Sequence, residues 1–259
     1  MLALRHLIDR AVARLRPYPY QVSLPLPGHE PLRFLIHNPI ERYRTVEYGG
    51  ERTFWEQFLS QLRSDDLLYD IGASVGLFAL GAARICKDVY AFEPDPETRS
   101  RLTANAALNN LLNIHMIPWA VSDRAGSVEL YSDGAAGFAP SLAKQSRANA
   151  PSGSITVATN TLDAAIASGE LPLPTVLKID IEGAEVLCLR GAQRLLAGEF
   201  GPPPRLIALE LHPPFLPSFG ASVADIDALI DPHGYELRES QPRADQEHRW
   251  YYLRSTVAQ

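Results

Sequence analysis

Cysteine is scarce in this 259-residue chain: Cys86 and Cys188 are the whole supply. They share no CxxC spacing and have no clustered histidines beside them, which argues against a zinc ribbon or a disulfide framework. Two free thiols in a reducing cytoplasm are expected instead. Long apolar runs are missing as well, since no stretch approaches the ~18 residues of a membrane span. The N-terminus lacks the uninterrupted apolar centre of a secretory signal, because Arg5, Arg10, Arg14 and Arg16 break it up. There is no basic excess: 24 Lys and Arg face 30 Asp and Glu, for a net charge of −6. That balance argues against general nucleic-acid binding and leaves room for a small basic pocket. Internal repeats and low-complexity tracts are also absent.

What the chain does contain is an alternation. Apolar residues Leu4, Leu7, Ile8, Val12 and Leu15 recur at helical spacing and predict a short basic amphipathic helix. It would pack on the domain or a partner, or touch a membrane surface. Proline-rich, strand-like pieces follow to residue 55, so residues 1–55 read as a preface packing on a main domain over 56–259. From residue 66 onward, strand-like "LLYDI", "DVYAFE", "NIHMIP", "TVLKIDI" and "RLIALEL" alternate with helical stretches. Helices are expected through Ile85, over Pro96–Leu108 and over residues 183–198. Buried apolar strands separated by helices predict an α/β domain, a mostly parallel sheet with helices on both faces. "GYELRE" and "RWYYLR" look like a closing antiparallel pair. The alternation is interrupted by "SVELY", a Gly/Ala/Ser-rich loop and "ITVAT" between residues 127 and 160, and by a proline-dense stretch over 201–220.

The segment "LLYDIGASVGLFALGAARI" joins a strand ending in an acid to two glycines and a helix. Such a turn aims backbone N–H groups at a ligand. Gly72 and Gly76 stand four apart, so the middle glycine of a dinucleotide fingerprint is missing. No Gly-Lys-Ser/Thr follows either, which removes a phosphate loop. Glu93 closes the next strand in "YAFEPDP". It can accept hydrogen bonds from a ribose diol, or it can serve as an N-terminal acid of the helix begun by Pro96.

Together, "YDIGASVGLFAL", "AFEPDPETRSRLTANAALNN", "AVSDRAG", "TNTLDAA" and "LKIDIEGAEVLCLRGA" resemble the FkbM family of class I S-adenosylmethionine-dependent methyltransferases, over roughly residues 66–215. Ser74 departs from the asparagine common in that family. The resemblance implies a Rossmann-like methyltransferase fold with a seven-stranded sheet. It implies S-adenosylmethionine as cofactor, with Asp70 near the methionine ammonium and Gly72, Ala73, Ser74 and Gly76 around the methionine and ribose. It further implies Glu93 and Pro94 at the ribose, and Trp119, Ala120 and Val121 along the adenine. The activity implied is O-methylation of a hydroxyl on a sugar, glycolipid or polyketide-like metabolite.

Candidate chemistry gathers at the ends of two strands. Asp180 closes an apolar strand, where an isolated carboxylate is costly, so it should face a cleft. Glu182 and Glu185 read as first-turn helix acids. Glu210 and His212 alternate with apolar neighbours and should share a side; His212 suits proton abstraction, or is a satisfied structural histidine. Lys178 shares a face with Asp180 and could pair with it or orient substrate. Asp180, Glu210 or His212 would take the hydroxyl proton, and Asp180 with Glu210 could instead hold Mg²⁺. Residues 134–142 with Phe138, the segment "HPPFLPSFG" with Phe215 and Phe219, and the preface are the expected acceptor pocket or lid. The partner expected is a small-molecule or glycan acceptor, with a homo-oligomer left open. A cofactor-binding scaffold without catalysis is the alternative function.

Overall fold

The structure, a computed structural model, describes residues 17–132, 140–144, 153–243 and 245–254. The expected amphipathic helix over residues 4–15 lies outside the described residues, as does Phe138. The preface holds the strands β1 (Tyr20–Leu24) and β2 (Leu32–Ile36), paired as an antiparallel hairpin, then the helices α1 (Pro39–Val46) and α2 (Arg52–Ser60). Asn38 starts α1 by accepting from the N–H groups of Ile40 and Glu41, with Pro39 preset in the first turn.

The main domain begins with β3 (Leu67–Ile71), α3 (Leu77–Ala83), β4 (Asp88–Phe92), α4 (Pro96–Leu108) and β5 (Ile114–Ile117). Asp95 caps α4 through the N–H groups of Glu97 and Thr98. A side sheet of β6 (Ala120–Val121), β7 (Gly126–Ser132) and β8 (Gly153–Asn160) follows, in the order β6–β8–β7. The chain continues through α5 (Leu162–Ala167), β9 (Val176–Ile179), α6 (Glu185–Arg190), α7 (Gln193–Leu196), β10 (Leu206–Leu211), α8 (Val223–Ile230), β11 (Tyr235–Arg243) and β12 (Gln246–Leu253). The single helix expected over 183–198 is two. A Cβ on Gly191 would lie 2.1 Å from the Ser122 carbonyl oxygen, so the chain passes a point where only glycine fits. Asp163 then restarts the helix by accepting from the N–H groups of Arg194 and Leu195.

The main sheet has seven strands in the order β11–β12–β10–β9–β3–β4–β5. β10, β9, β3, β4 and β5 are parallel, and β12 enters antiparallel between β10 and β11. This is the expected mostly parallel sheet with its closing antiparallel strand. Side chains alternate between two cores. Leu68, Val89, Ala91, Val176, Leu206 and Trp250 meet Phe54, Trp55, Phe58 and Phe78 on one face. Tyr69, Ile71, Phe92, Leu177, Ile207 and Tyr251 meet Leu162, Val186, Leu189 and Ile226 on the other. Preface residues Phe34, Phe54 and Trp55 belong to the first core rather than to one of their own. Asn105 of α4 fastens the preface to the glycine turn, accepting from Leu35 N–H (2.9 Å) and donating to the Val75 carbonyl (3.0 Å). Among the described residues no helix is long and apolar enough to cross a membrane.

Candidate active site

The glycine turn leaves the carboxyl end of β3 at the middle of the sheet, where strand order switches direction and ligands collect. Gly72 has φ 84°, and a Cβ there would sit 1.9 Å from the Asp180 carbonyl oxygen. No other residue fits. The N–H groups of Gly72 and Ala73 both donate to the Phe92 carbonyl, at 3.1 and 3.0 Å, which ties the turn to β4. Ser74 adopts the left-handed region (φ 50°). Asparagine enters that region more readily than serine, which gives a physical reason for the residue common in related chains. A Cβ on Gly76 would meet Leu102 at 2.2 Å and Leu80 at 2.6 Å, so glycine allows close packing at the start of α3.

Glu93 is joined to this turn. Its Oε2 accepts from Ser74 N–H and its Oε1 from Asp95 N–H, both at 3.0 Å. Asp95, not Glu93, caps α4, so Glu93 is free of the duller assignment. Burial pushes its carboxyl up to about 7, against the two backbone N–H donors that favour ionisation.

A cavity opens over these groups. Ile71, Gly72, Ser74, Phe92, Glu93 and Pro94 form its floor, with Trp119, Ala120 and Val121 as one wall and Leu130, Pro140 and Leu142 as another. Trp119 is fixed edge-on against Phe92 and donates from Nε1 to Glu170 at 3.0 Å. A second cavity lies alongside, bordered by Ala73, Lys178, Asp180, Glu182 and Glu210 and by Tyr43, Tyr48 and Glu51 of the preface. Arg44, Gly72, Ser74, Asp180 and Glu182 wall both cavities. Apart from the shared Asp180 and Glu182, the first space has Glu93 among largely apolar walls, whereas the second adds Glu51 and Glu210.

The charges beneath the second cavity form two chains. Lys178 is 2% exposed, with Nζ 3.1 Å from Asp70 Oδ1, 3.5 Å from Asp180 Oδ2 and 3.1 Å from the Gly72 carbonyl. Burial opposes its charge, yet Asp70 and Asp180 hold its pKa above the ordinary lysine value. Asp70, directly across the β3–β9 ladder from Lys178, is fully buried and borders neither cavity. Burial raises its carboxyl and Lys178 opposes the rise. Within the chain its partner is Lys178.

The second chain centres on His212. Its Nδ1 donates to Glu185 Oε1 at 2.8 Å, and its Nε2 stands 3.5 Å from both Glu182 Oε2 and Glu210 Oε1. Burial would lower its pKa, but the hydrogen bonds to Glu185 and Glu210 and the neighbouring charges push it up to about 12. A histidine that keeps its proton at neutral pH and lies behind the cavity wall is a poor general base. Burial would raise Glu210, but His212 and His248 beside it hold it well below the usual carboxylate range. Burial, with the charges of Glu210 and Asp180, raises Glu51 to about 8.

The structure therefore brings Gly72, Ala73, Ser74, Glu93, Pro94, Trp119, Ala120, Val121, Lys178, Asp180 and Glu210 to the cavity walls, and leaves Asp70, Gly76 and His212 behind them. Glu182 differs from its sequence reading. It precedes α6 in a left-handed turn (φ 55°) and faces the cavities. Glu185 does start α6, while also holding His212. Phe215 stacks on His212, and both Phe215 and Phe219 crowd Gly183, where a Cβ would approach within 2.6 Å of Phe215. Neither borders the two cavities. Arg44 and Glu51 escaped the sequence reading; they lie outside every motif and reach the site only because the preface folds over it.

Comparison with known proteins gives the family and the fold. A family model described as the methyltransferase FkbM domain matches residues 70–237. Hexuronic acid methyltransferase AglP from Haloferax volcanii is 32% identical over 169 residues, covering 63% of this chain. The match spans 65% of that relative's own length. The solved structure of yhhF from Escherichia coli superimposes with a TM-score of 0.52 at 12% identity, covering 92% of this chain and all of that one. Methyltransferase FkbM from Methylobacillus flagellatus KT gives a TM-score of 0.49 at 16% identity, covering 77% of this chain and 46% of that one.

Proposed function

This chain belongs to the FkbM methyltransferase family, and on that premise we propose that it is an S-adenosylmethionine-dependent O-methyltransferase acting on a sugar hydroxyl, with a hexuronic acid as the first candidate acceptor. The observation that carries this reading is the pair of cavities that share Arg44, Gly72, Ser74, Asp180 and Glu182 as walls. A donor held in the first would present its methyl group to an acceptor held in the second.

The first cavity fits the donor by its chemistry. Glu93 is an acid at the end of β4, placed to accept from a ribose diol, and Gly72 lets the turn pass close against the Asp180 carbonyl at the cavity's edge. Trp119, Ala120, Val121 and Leu130 give an apolar slot for adenine. When bound, the donor supplies an electrophilic methyl on its sulfonium sulfur.

The chain's own residues then align and deprotonate the acceptor. Asp180 is the carboxylate we assign as base, because it borders both cavities while Glu210 borders only the second and lies beside the His212 and His248 rings. As the acceptor oxygen bonds to the methyl carbon and the carbon–sulfur bond breaks, the hydroxyl proton passes to Asp180. Lys178, 3.5 Å away, fixes that carboxylate. Lys178 also supplies Asp180 with a cation from within the protein, so Mg²⁺ at Asp180 and Glu210 has no part in this mechanism. Arg44, bordering both cavities, offers a guanidinium to the carboxylate of a uronic acid. The relative's hexuronic acid activity supports this choice of acceptor. Two buried free thiols agree with work in a reducing compartment.

The test is transfer of a labelled methyl group from S-adenosylmethionine to a panel of saccharides with and without a hexuronic acid. Label should enter the acidic saccharides, and Asp180→Asn should lower turnover by about 10²-fold or more. A panel that takes up no label would count against the proposal.

A further inference from the structure

On the preface side of the acid-lined cavity, two strands and a helix start bring three metal-binding side chains together. Glu210 of β10 and His248 of β12 face each other directly across the antiparallel ladder. Glu51 reaches them from the N-cap of α2. His248 Nε2 lies 3.5 Å from Glu210 Oε2 and 3.9 Å from Glu51 Oε2.

The surrounding residues hold these atoms in place by their other ends. Gln246 Nε2 donates to Glu51 Oε1 and to Glu210 Oε1, both at 2.7 Å. Arg243 Nη1 stands 3.0 Å from Glu51 Oε1. The Phe54 ring stacks on the His248 imidazole with centroids 3.8 Å apart and planes 9° from parallel. One oxygen of each carboxylate is thus engaged, and the second of each faces the imidazole nitrogen.

Glu210 is 4% exposed and His248 2% exposed. Neither Glu210 Oε2 nor His248 Nε2 has a hydrogen-bond partner among the described residues. A buried carboxylate oxygen and a buried ring nitrogen without hydrogen-bond partners are costly, and both face the same point. A cation bound between them would satisfy both. The spacing agrees: with bonds of about 2.1 Å, ligand atoms around a tetrahedral zinc lie roughly 3.4 Å apart.

The donor set selects the class of ion. One imidazole nitrogen with two carboxylate oxygens suits zinc and its transition-metal neighbours, whereas magnesium is usually held by oxygens and water. A second set, Asp180, Glu210 and His212, is also compact. There Lys178 already faces Asp180, and carboxylates already flank both nitrogens of His212. That set has its positive charge within the protein.

We propose that Glu51, Glu210 and His248 bind a divalent transition-metal cation of the zinc type, with one coordination position open to the acid-lined cavity. The opening follows from Glu51, Glu210 and Gln246 all bordering that cavity. An oxygen-bearing group there, from water or from the acceptor, would complete the coordination. The binding site stands whether or not the chain transfers methyl groups.

The experiment is titration of the chelator-treated full chain with Co²⁺ alone, followed by visible absorption. One Co²⁺ per chain with the intense bands of a tetrahedral ion is expected, and Zn²⁺ should displace it. His248→Ala should abolish the bands. Glu51→Gln keeps the size of a partly exposed side chain at a helix start, so it tests the site without challenging the fold. It should weaken Co²⁺ by about tenfold or more, the loss seen even for outer partners of metal sites. Circular dichroism establishes that each variant is folded; if His248→Ala is not, Glu51→Gln decides. A folded wild-type chain that binds no stoichiometric Co²⁺, or a Glu51→Gln variant with unchanged affinity, overturns the proposal.

Discussion

Glu93 is the residue on which most of the proposed donor cavity turns. Its carboxyl lies near 7 in the folded chain against an ordinary value of 4.5, chiefly through burial. Between those values the folded protein holds a proton that the unfolded chain has released. Stability contributed by that proton is complete below pH 4.5 and is lost as the pH rises to about 7. Glu93→Gln removes the titration, so its stability relative to wild type should increase by roughly 3 kcal/mol across that window, measured by urea denaturation at each pH. A constant difference would contradict the burial argument. The acid at the end of β4 was legible in the sequence, because a carboxylate closing an apolar strand has few cheap explanations. The identity of the base was not. An ordinary histidine pKa made His212 attractive, and only the three carboxylates folded around it show why it retains its proton.

At the scale of elements, apolar runs bounded by turn residues announced β3, β4, β9 and β10, since strands covered on both faces have little choice of composition. The break between α6 and α7 was hidden because its cause, the Ser122 carbonyl against Gly191, lies far away in sequence. The preface was expected at the acceptor side, but which of its residues line a cavity was hidden for the same reason. Nothing local in Tyr43, Arg44 or Glu51 marks a site; they acquire one when β2 is pinned to α4. Asn105 carries much of that attachment, bonded to Leu35 N–H on one side and the Val75 carbonyl on the other. Asn105→Ala leaves both buried backbone groups without their partner and should cost about 1–3 kcal/mol in thermal denaturation. It should also weaken donor binding, since Val75 belongs to the glycine turn. A variant with wild-type melting and wild-type affinity would show that the preface and turn are not coupled.

At the scale of the whole molecule, the sheet order places the carboxyl ends of β3, β4, β9 and β10 side by side. The donor cavity, the acid-lined cavity and the proposed cation site follow from that edge in turn, with the preface closing the last two. Sequence could foresee the sheet because its pattern is local and repeated. The partition of charge among Lys178, His212 and Arg44 arises only when acids distant in sequence meet in the fold. The central claim is that the cavity over Gly72, Ser74 and Glu93 is a donor site, and calorimetric titration of the full chain with S-adenosylhomocysteine tests it most directly. The account predicts one molecule bound per chain, with affinity rising from pH 6 to pH 8 as Glu93 ionises and falling about tenfold or more in Glu93→Ala. A folded chain that does not bind it, or one that binds equally well without the Glu93 carboxylate, would contradict the account.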